Sequence, residues 1–202
     1  MTEKYLLAIN TAIGSCSVAV SKNNKILNKK AIVSDRGHSE LLMPLIETVL
    51  NESELQVDKL SGFLVCTGPG NYTSLRVAIS TVRGLSLACK KPACGISLFE
   101  IISTPENKVL VLIKGPAEKI YVQKFSKGLQ INSPKLMDLS EIQKTKEFLG
   151  SKTVGYQAAK VGNLIGGNSY LETSMISFSR FISLGLEKLK KNCPRPAPLY
   201  IR

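Results

Sequence analysis

Residues 5–33 read YLLAINTAIGSCSVAVSKNNKILNKKAIV, and this segment is the starting point for predicting the fold. The apolar run at residues 5–11 indicates a buried strand. Residues 15–21 alternate between polar and apolar side chains, which is the period of a strand with two different faces. A polar turn at residues 22–25 then leads into a third strand-like run, residues 26–33. The sequence therefore predicts a meander of three strands.

Helical and strand patterns alternate through the rest of the first hundred residues. An apolar stripe at helical spacing predicts a helix near residues 39–50, with a kink at Pro44. A strand at residues 62–67 is followed by a glycine turn and by a second helix, for which Thr73 or Ser74 is the predicted cap. A short strand and a short helix complete this half of the chain.

The second half repeats the order of elements without a visible repeat of residues. The patterns predict strands at residues 109–113, 120–126, 130–137 and 153–156, and helices at residues 140–149 (capped by Ser140), 158–165 and 179–191. Strands and helices in this order imply mixed sheets with helices packed on them. We therefore expect an α/β protein with two similar lobes, residues 1–103 and residues 104–202.

The composition excludes several classes of protein. The 202 residues are 44% hydrophobic, as in ordinary globular proteins. Polar residues and glycine interrupt the longest uncharged run, residues 5–21, so neither a membrane span nor a signal peptide is expected. Five irregularly spaced cysteines without a CxxC motif indicate reduced thiols of a cytoplasmic protein and no structural zinc site. The single histidine, His38, excludes metal sites with two histidine ligands from one chain.

Positive charge is concentrated in the second half of the chain. The formal net charge is +12, and residues 101–202 carry 16 basic side chains against 7 acidic ones. Such an excess suits contact with RNA or with an acidic partner. The alternative is a solvated, lysine-rich surface, because no aromatic, glycine-rich RNA-binding motif lies among the lysines.

Two turns are candidate elements for nucleotide binding. Asn10 and Thr11 lie at the end of the first strand. In two-lobed folds with this order of elements, a carboxylate at that position holds a magnesium ion that binds phosphate. The side-chain amide of Asn10 is neutral and binds magnesium poorly. Gly68 and Gly70 precede a helix N-terminus, whose free N–H groups can bind an anion, although the Gly-Lys-Ser/Thr of a P-loop is missing. The alternative in both places is an ordinary tight turn.

Three polar residues near the helix starts are also candidates. His38 and Glu40 are candidates for a catalytic pair, but side chains two residues apart diverge on a helix. The alternative is that these polar residues only form the start of the helix. Arg76 lies in the first turns of the second helix, where a cation opposes the helix dipole. That placement suggests a partner outside the helix.

Four segments together resemble the TsaB (YeaZ) family, a subunit of the bacterial machinery that makes threonylcarbamoyladenosine in tRNA. They are LLAINT at residues 6–11 with CSVA at 16–19, HSELLMPLI at 38–46, GPGNYTSLR at 68–76, and PLYIR at 198–202. The resemblance implies an actin/Hsp70-like (ribonuclease H-like) duplicated fold. It also implies a cytoplasmic protein that has no catalytic residues, metal or cofactor of its own.

The resemblance further implies partners. These are TsaD, the ATP- and metal-binding transferase, and TsaE, an ATPase, with ADP or ATP at the TsaD interface and tRNA contacted through the complex. A chain on its own is expected to form a homodimer. The expected interface lies on the two helices of the first lobe, with residues His38, Leu41, Leu42, Leu45, Tyr72, Thr73, Arg76, Ala78 and Ile79. If these side chains face outward, Ala78→Glu should abolish pairing without unfolding the protein. The alternative is that both helix stripes simply cover the sheet, and then the same substitution unfolds the chain.

The chain departs from the family at two positions, and two other functions stay open. The family usually has Asp where this chain has Asn10, and Gly where it has Ser74. The first change weakens nucleotide–metal chemistry, and the second can alter a close packing contact. One alternative is a glycoprotease-like peptidase or nucleotide hydrolase that uses His38. The other is a tRNA-binding module that uses the basic second half.

Overall fold

The chain forms two compact units in a computed structural model that describes residues 3–34, 37–173, 176–191 and 193–201. One unit comprises Met1–Leu98 with Ser177–Leu199, and the other comprises Phe99–Ile176 with Tyr200–Arg202. The sequence predicts lobes of residues 1–103 and 104–202. The contacts divide the chain close to that point, but they place residues 177–199 with the first unit.

The first unit is built on a five-stranded mixed sheet. Its strands are β1 (Tyr5–Asn10), β2 (Ser15–Lys22), β3 (Lys25–Val33), β4 (Gly62–Cys66) and β5 (Ala93–Ile96). Their order in the sheet is β3-β2-β1-β4-β5, with β1, β4 and β5 parallel and β1 to β3 antiparallel. The predicted three-strand meander is therefore confirmed.

Two long helices and the sheet enclose the main core of this unit. They are α1 (His38–Glu52) and α2 (Tyr72–Cys89), and the short α3 (Leu98–Ile102) follows β5. Phe63 of β4 packs in this core with Leu42 of α1 and Ala78 of α2, all without exposed surface. Alternate residues of a strand face opposite sides of the sheet, so the other face needs its own cover.

The C-terminal helix supplies contacts for the first unit. The helix α6 (Phe178–Leu189) brings Gly185 against the side chain of Leu64, on β4. A disulfide then joins Cys193, after the helix, to Cys94 of β5. The prediction that all five cysteines are reduced thiols is therefore wrong for this pair, which lies 99 residues apart in sequence.

The second unit holds a six-stranded mixed sheet. Its elements are β6 (Val109–Lys114), β7 (Ile120–Ser126), β8 (Leu129–Gln130), β9 (Lys135–Met137), α4 (Leu139–Lys144), β10 (Lys152–Gly155), α5 (Ala158–Leu164) and β11 (Tyr170–Leu171). The sheet order is β11-β10-β6-β7-β8, and β9 also pairs with β7. Together the two sheets with packed helices confirm the predicted α/β fold class.

Two boundaries in the second unit differ from the prediction. The single strand expected at residues 130–137 is two short strands, β8 and β9. The helix α4 starts at Leu139 because Asp138, not Ser140, is its cap, and Glu141 completes a capping box with Asp138. Within the part of the chain that the structure describes, no helix has the length and apolarity needed to cross a membrane.

One ion pair in the second unit gives a pH-dependent contribution to stability. The Nζ of Lys152 lies 2.7 Å from Oε1 of Glu106, and this hydrogen bond lowers the pKa of Glu106 from 4.5 to about 2. Because the folded-state pKa is depressed, the stabilisation is present above pH 4.5 and is lost as pH falls towards 2. Both side chains are partly exposed, so Glu106→Gln should cost less than about 1 kcal/mol at pH 7.

Thermal unfolding of Glu106→Gln and wild type across pH 2 to 7 checks this expectation. The difference between them should shrink as pH falls, whereas Glu118→Gln, at an exposed carboxylate, should show no such trend. A difference that stays constant with pH would contradict the assigned role of the Lys152 contact.

Candidate functional site

The turn after β1 is held by its own hydrogen bonds. The side-chain Nδ2 of Asn10 donates to Oγ of Ser17 at 3.2 Å, and the side-chain Oδ1 of Asn10 accepts the N–H of Ala12 at 3.0 Å. The hydroxyl of Thr11 donates to the backbone oxygen of Ser74 at 2.8 Å. Asn10 and Thr11 are both buried, so these contacts account for the polar groups that the sequence offers as nucleotide ligands.

The glycine turn packs closely against neighbouring backbone and side chains. A Cβ on Gly70 would clash with the backbone of Ala12, and a Cβ on Gly68 would lie 2.6 Å from Leu75. Gly68 also has φ of +93°, which favours glycine. Its carbonyl accepts the N–H of Leu98 at 2.7 Å. The two glycines therefore permit close approach of chain segments at the start of α2.

The N-terminus of α2 is capped by a residue that the sequence pattern did not single out. The side chain of Asn71 accepts the N–H of Ser74 at 3.1 Å, so the predicted cap at Thr73 or Ser74 is wrong. Asparagine is as good a cap as serine. This cap satisfies one of the N–H groups that an anion would otherwise use.

The structure joins His38 to Ser74, not to Glu40. The Nδ1 of His38 lies 3.0 Å from Oγ of Ser74, and the Ser74 hydroxyl donates to the side-chain oxygen of Asn71 at 3.1 Å. Serine has one hydroxyl hydrogen, so when the contacts with His38 and Asn71 form together, His38 must be the donor to Ser74. A histidine in that state is not placed to take a proton from the serine. Sequence spacing gives no signal for this contact, since the two residues are 36 apart.

Two adjoining depressions mark the exposed side of the paired helices. One, of about 340 Å³, is lined by residues of α2, and the other, of about 260 Å³, lies between the starts of α1 and α2. Thr73 and Val77 line both depressions. The accessible residues of the two depressions, together with the exposed Met43 one turn along α1, are named the helix-pair surface. Its members are Ser39, Met43, Tyr72, Thr73, Arg76, Val77 and Ser80.

The helix-pair surface combines an aromatic ring and a cation at its centre. Tyr72 is 54% exposed, and the guanidinium carbon of Arg76 lies 3.6 Å from the centroid of its ring. Such stacking holds a long cationic side chain in one position. The cation–π partner of Arg76 thus lies in its own helix, and the partner outside the helix that its place in the helix dipole suggests stays a prediction.

Most of the residues predicted for the interface are buried in the structure and are not exposed at the helix-pair surface. Leu42 and Ala78 have no exposed surface, and Leu45 and Ile79 are at most 5% exposed. His38 is also buried, and Leu41 is half-buried against the core. These side chains therefore do not face outward, and the alternative that both stripes cover the sheet is the arrangement that the structure shows. Tyr72, Thr73 and Arg76 are the predicted interface residues that the structure exposes.

Among the described residues, no metal-ligand cluster lies at this surface, and no cysteine lines its two depressions. Across residues 3–34, 37–173, 176–191 and 193–201, no group of three His, Cys, Asp or Glu side chains could hold a metal ion. Burial raises the pKa of the Cys16 thiol to about 11, which keeps it protonated at neutral pH. Arg36, which precedes His38, lies outside the described residues, as does Arg202.

The fold defines a class: α/β proteins of two units, with mixed sheets and helices packed on them. Residues 25–183 match the family model described as TsaD: tRNA N6-adenosine threonylcarbamoyltransferase. The chain belongs to this family, and the TsaB and YeaZ proteins that it matches confirm the resemblance seen in the sequence.

Individual relatives support the same assignment. The chain is 28% identical over 131 residues to the tRNA threonylcarbamoyladenosine biosynthesis protein TsaB of Buchnera aphidicola from Acyrthosiphon pisum, covering 61% of this chain and 58% of that protein. It is 30% identical over 92 residues to Escherichia coli TsaB, covering 46% and 39%. The YeaZ structure from Pseudomonas aeruginosa superposes with a TM-score of 0.79 at 19% identity, covering 98% of this chain and all of that one. The matched segments thus span little more than half of the first sequence relative.

Proposed function

We propose that this chain is a non-catalytic subunit of a complex that makes threonylcarbamoyladenosine in tRNA, and that it binds TsaD through the helix-pair surface. The names of its relatives support the pathway. One observation carries the structural part: the polar groups at the nucleotide-binding turns are occupied internally, while Tyr72 and Arg76 lie exposed.

The contacts of the polar residues support a role without catalysis. In a nucleophilic site, the serine hydroxyl hydrogen must be directed at a base. Here the hydrogen of Ser74 goes to Asn71, and both Ser74 and His38 are buried. The family usually has Asp where this chain has Asn10, and the neutral side-chain amide of Asn10 is bonded to Ser17 and Ala12. The chemistry of the complex then belongs to TsaD, with ADP or ATP at the shared interface.

The composition of the helix-pair surface supports a protein partner. Tyrosine and arginine are enriched among residues that dominate binding energy at protein interfaces, and Met43 adds an adaptable apolar contact. The surface rests on two helices packed on a sheet, so it is preorganised for binding. We propose that TsaE joins through TsaD, that tRNA is contacted through the complex, and that a homodimer uses the same surface when TsaD is absent.

Reconstitution with the threonylcarbamoylation proteins of the same genome tests this function. Formation of threonylcarbamoyladenosine on tRNA should fall to background when this chain is omitted and return when it is added. The chain alone should turn over neither ATP nor peptide. Turnover by the chain alone that His38→Ala abolishes would overturn the non-catalytic role and favour the hydrolase alternative.

A further inference from the structure

A second feature of the first unit lies at the other end of α2 and is not used by the proposed function. A cavity of about 660 Å³ lies between the end of α2, the start of β5 and the residues after α6. Three cations line it: Arg83, Lys90 and Arg195. None of the described residues that line it is acidic. We call this the basic cavity.

The cations of the basic cavity lack acidic partners. Lys90 and Arg195 are exposed and form no ion pair with any residue that the structure describes. The Nε–H of Arg83 is buried and has no hydrogen-bond acceptor among those same residues. A buried donor without an acceptor is unfavourable. The dipole at the C-terminal end of α2 favours one cation there, but it gives Arg83 no acceptor.

The wall that carries Arg195 is fixed in place. The Cys94–Cys193 disulfide ties the segment to β5 two residues before Arg195. Pro196 is buried, with its Cα 3.5 Å from the position that a Cβ on Gly95 would take. Further along, the N–H of Leu199 donates to the backbone oxygen of Thr67 at 2.9 Å. The basic cavity is therefore formed before any ligand enters.

We propose that the basic cavity binds a small organic phosphate, with the phosphate group between Arg83, Lys90 and Arg195. One guanidinium group can donate two parallel hydrogen bonds to the oxygens of a phosphate. Three positive charges also suit a doubly charged phosphate better than they suit a singly charged carboxylate. The volume is within the range of small-molecule sites and exceeds what an inorganic ion needs. Leu87, which is 80% exposed, and Leu189 provide apolar surface for the organic part.

Titration calorimetry with AMP, adenosine and inorganic phosphate tests this site. AMP should bind, and adenosine should bind at least about ten-fold more weakly because it lacks the charged group. Inorganic phosphate should also bind more weakly than AMP, because it makes no contact with Leu87 and Leu189. No binding of AMP at concentrations up to about 1 mM would overturn the proposal.

Variants locate the binding. Lys90→Gln combined with Arg195→Gln changes two exposed residues, so the fold should be retained, and AMP affinity should fall roughly ten- to hundred-fold. Lys25→Gln combined with Lys29→Gln removes the same charge from the exposed side of β3 and should leave affinity unchanged. Equal losses in both double variants would overturn the site in favour of general charge attraction. Binding of single-stranded RNA but not AMP, lost in the first double variant alone, would replace the small molecule by an RNA backbone.

Discussion

Ala78→Glu is expected to unfold the first unit. Ala78 has no exposed surface and packs in the core with Leu42 and Phe63. The longer side chain overfills that space, and its carboxylate has no partner there. The free energy of unfolding should fall by at least about 4 kcal/mol, which is a large fraction of the stability of a typical domain. Urea denaturation followed by circular dichroism measures this loss.

Ser80→Glu is the matched control for this substitution. Ser80 lies two residues further along α2 but is exposed, so the same glutamate should change stability by less than about 0.5 kcal/mol. An Ala78→Glu protein as stable as wild type would show that the apolar stripe of α2 is not core. The sequence alone left two results open, unfolding or a folded protein that has lost its partner.

Tyr72→Ala combined with Arg76→Glu is expected to abolish binding to TsaD. The two side chains are exposed and stacked on each other, so removing both should leave the fold intact. Truncation of a tyrosine or arginine at the centre of an interface costs about 2 kcal/mol or more, and together these changes predict a loss of affinity of roughly 100-fold or greater. Biolayer interferometry against immobilised TsaD measures the affinity.

A matched pair of changes in the second unit controls for this experiment. Tyr170→Ala combined with Lys160→Glu alters an exposed tyrosine and an exposed cation outside the helix-pair surface. Its affinity for TsaD should equal that of wild type. A similar loss in both double variants, or none in the first, would place the interface elsewhere.

Much of the fold could be predicted because its signals are local. The alternation in residues 15–21 and the helical stripes depend only on neighbours in sequence, and both elements form as predicted. The position of α6 could not be predicted in the same way. The amphipathic pattern of α6 shows that one side of the helix is buried. It does not show that this side packs against Leu64, which lies more than a hundred residues earlier.

The same limit explains why the exposure of the candidate interface residues could be predicted only in part. The sequence identified Tyr72, Thr73 and Arg76, which are exposed, together with Leu42 and Ala78, which are not. An apolar stripe looks the same whether it covers a sheet or a partner, so periodicity cannot separate the two. The His38–Ser74 contact and the Cys94–Cys193 disulfide depend on how distant segments meet, and neither leaves a local pattern.

The central claim is that this chain acts as a partner subunit of TsaD. Size-exclusion chromatography with light scattering, on the chain mixed with TsaD of the same genome, tests it most directly. The account predicts a complex whose mass contains both proteins, and the separate proteins when the chain carries Tyr72→Ala and Arg76→Glu. A wild-type chain that elutes apart from TsaD, at its own mass or as a homodimer, would contradict the account.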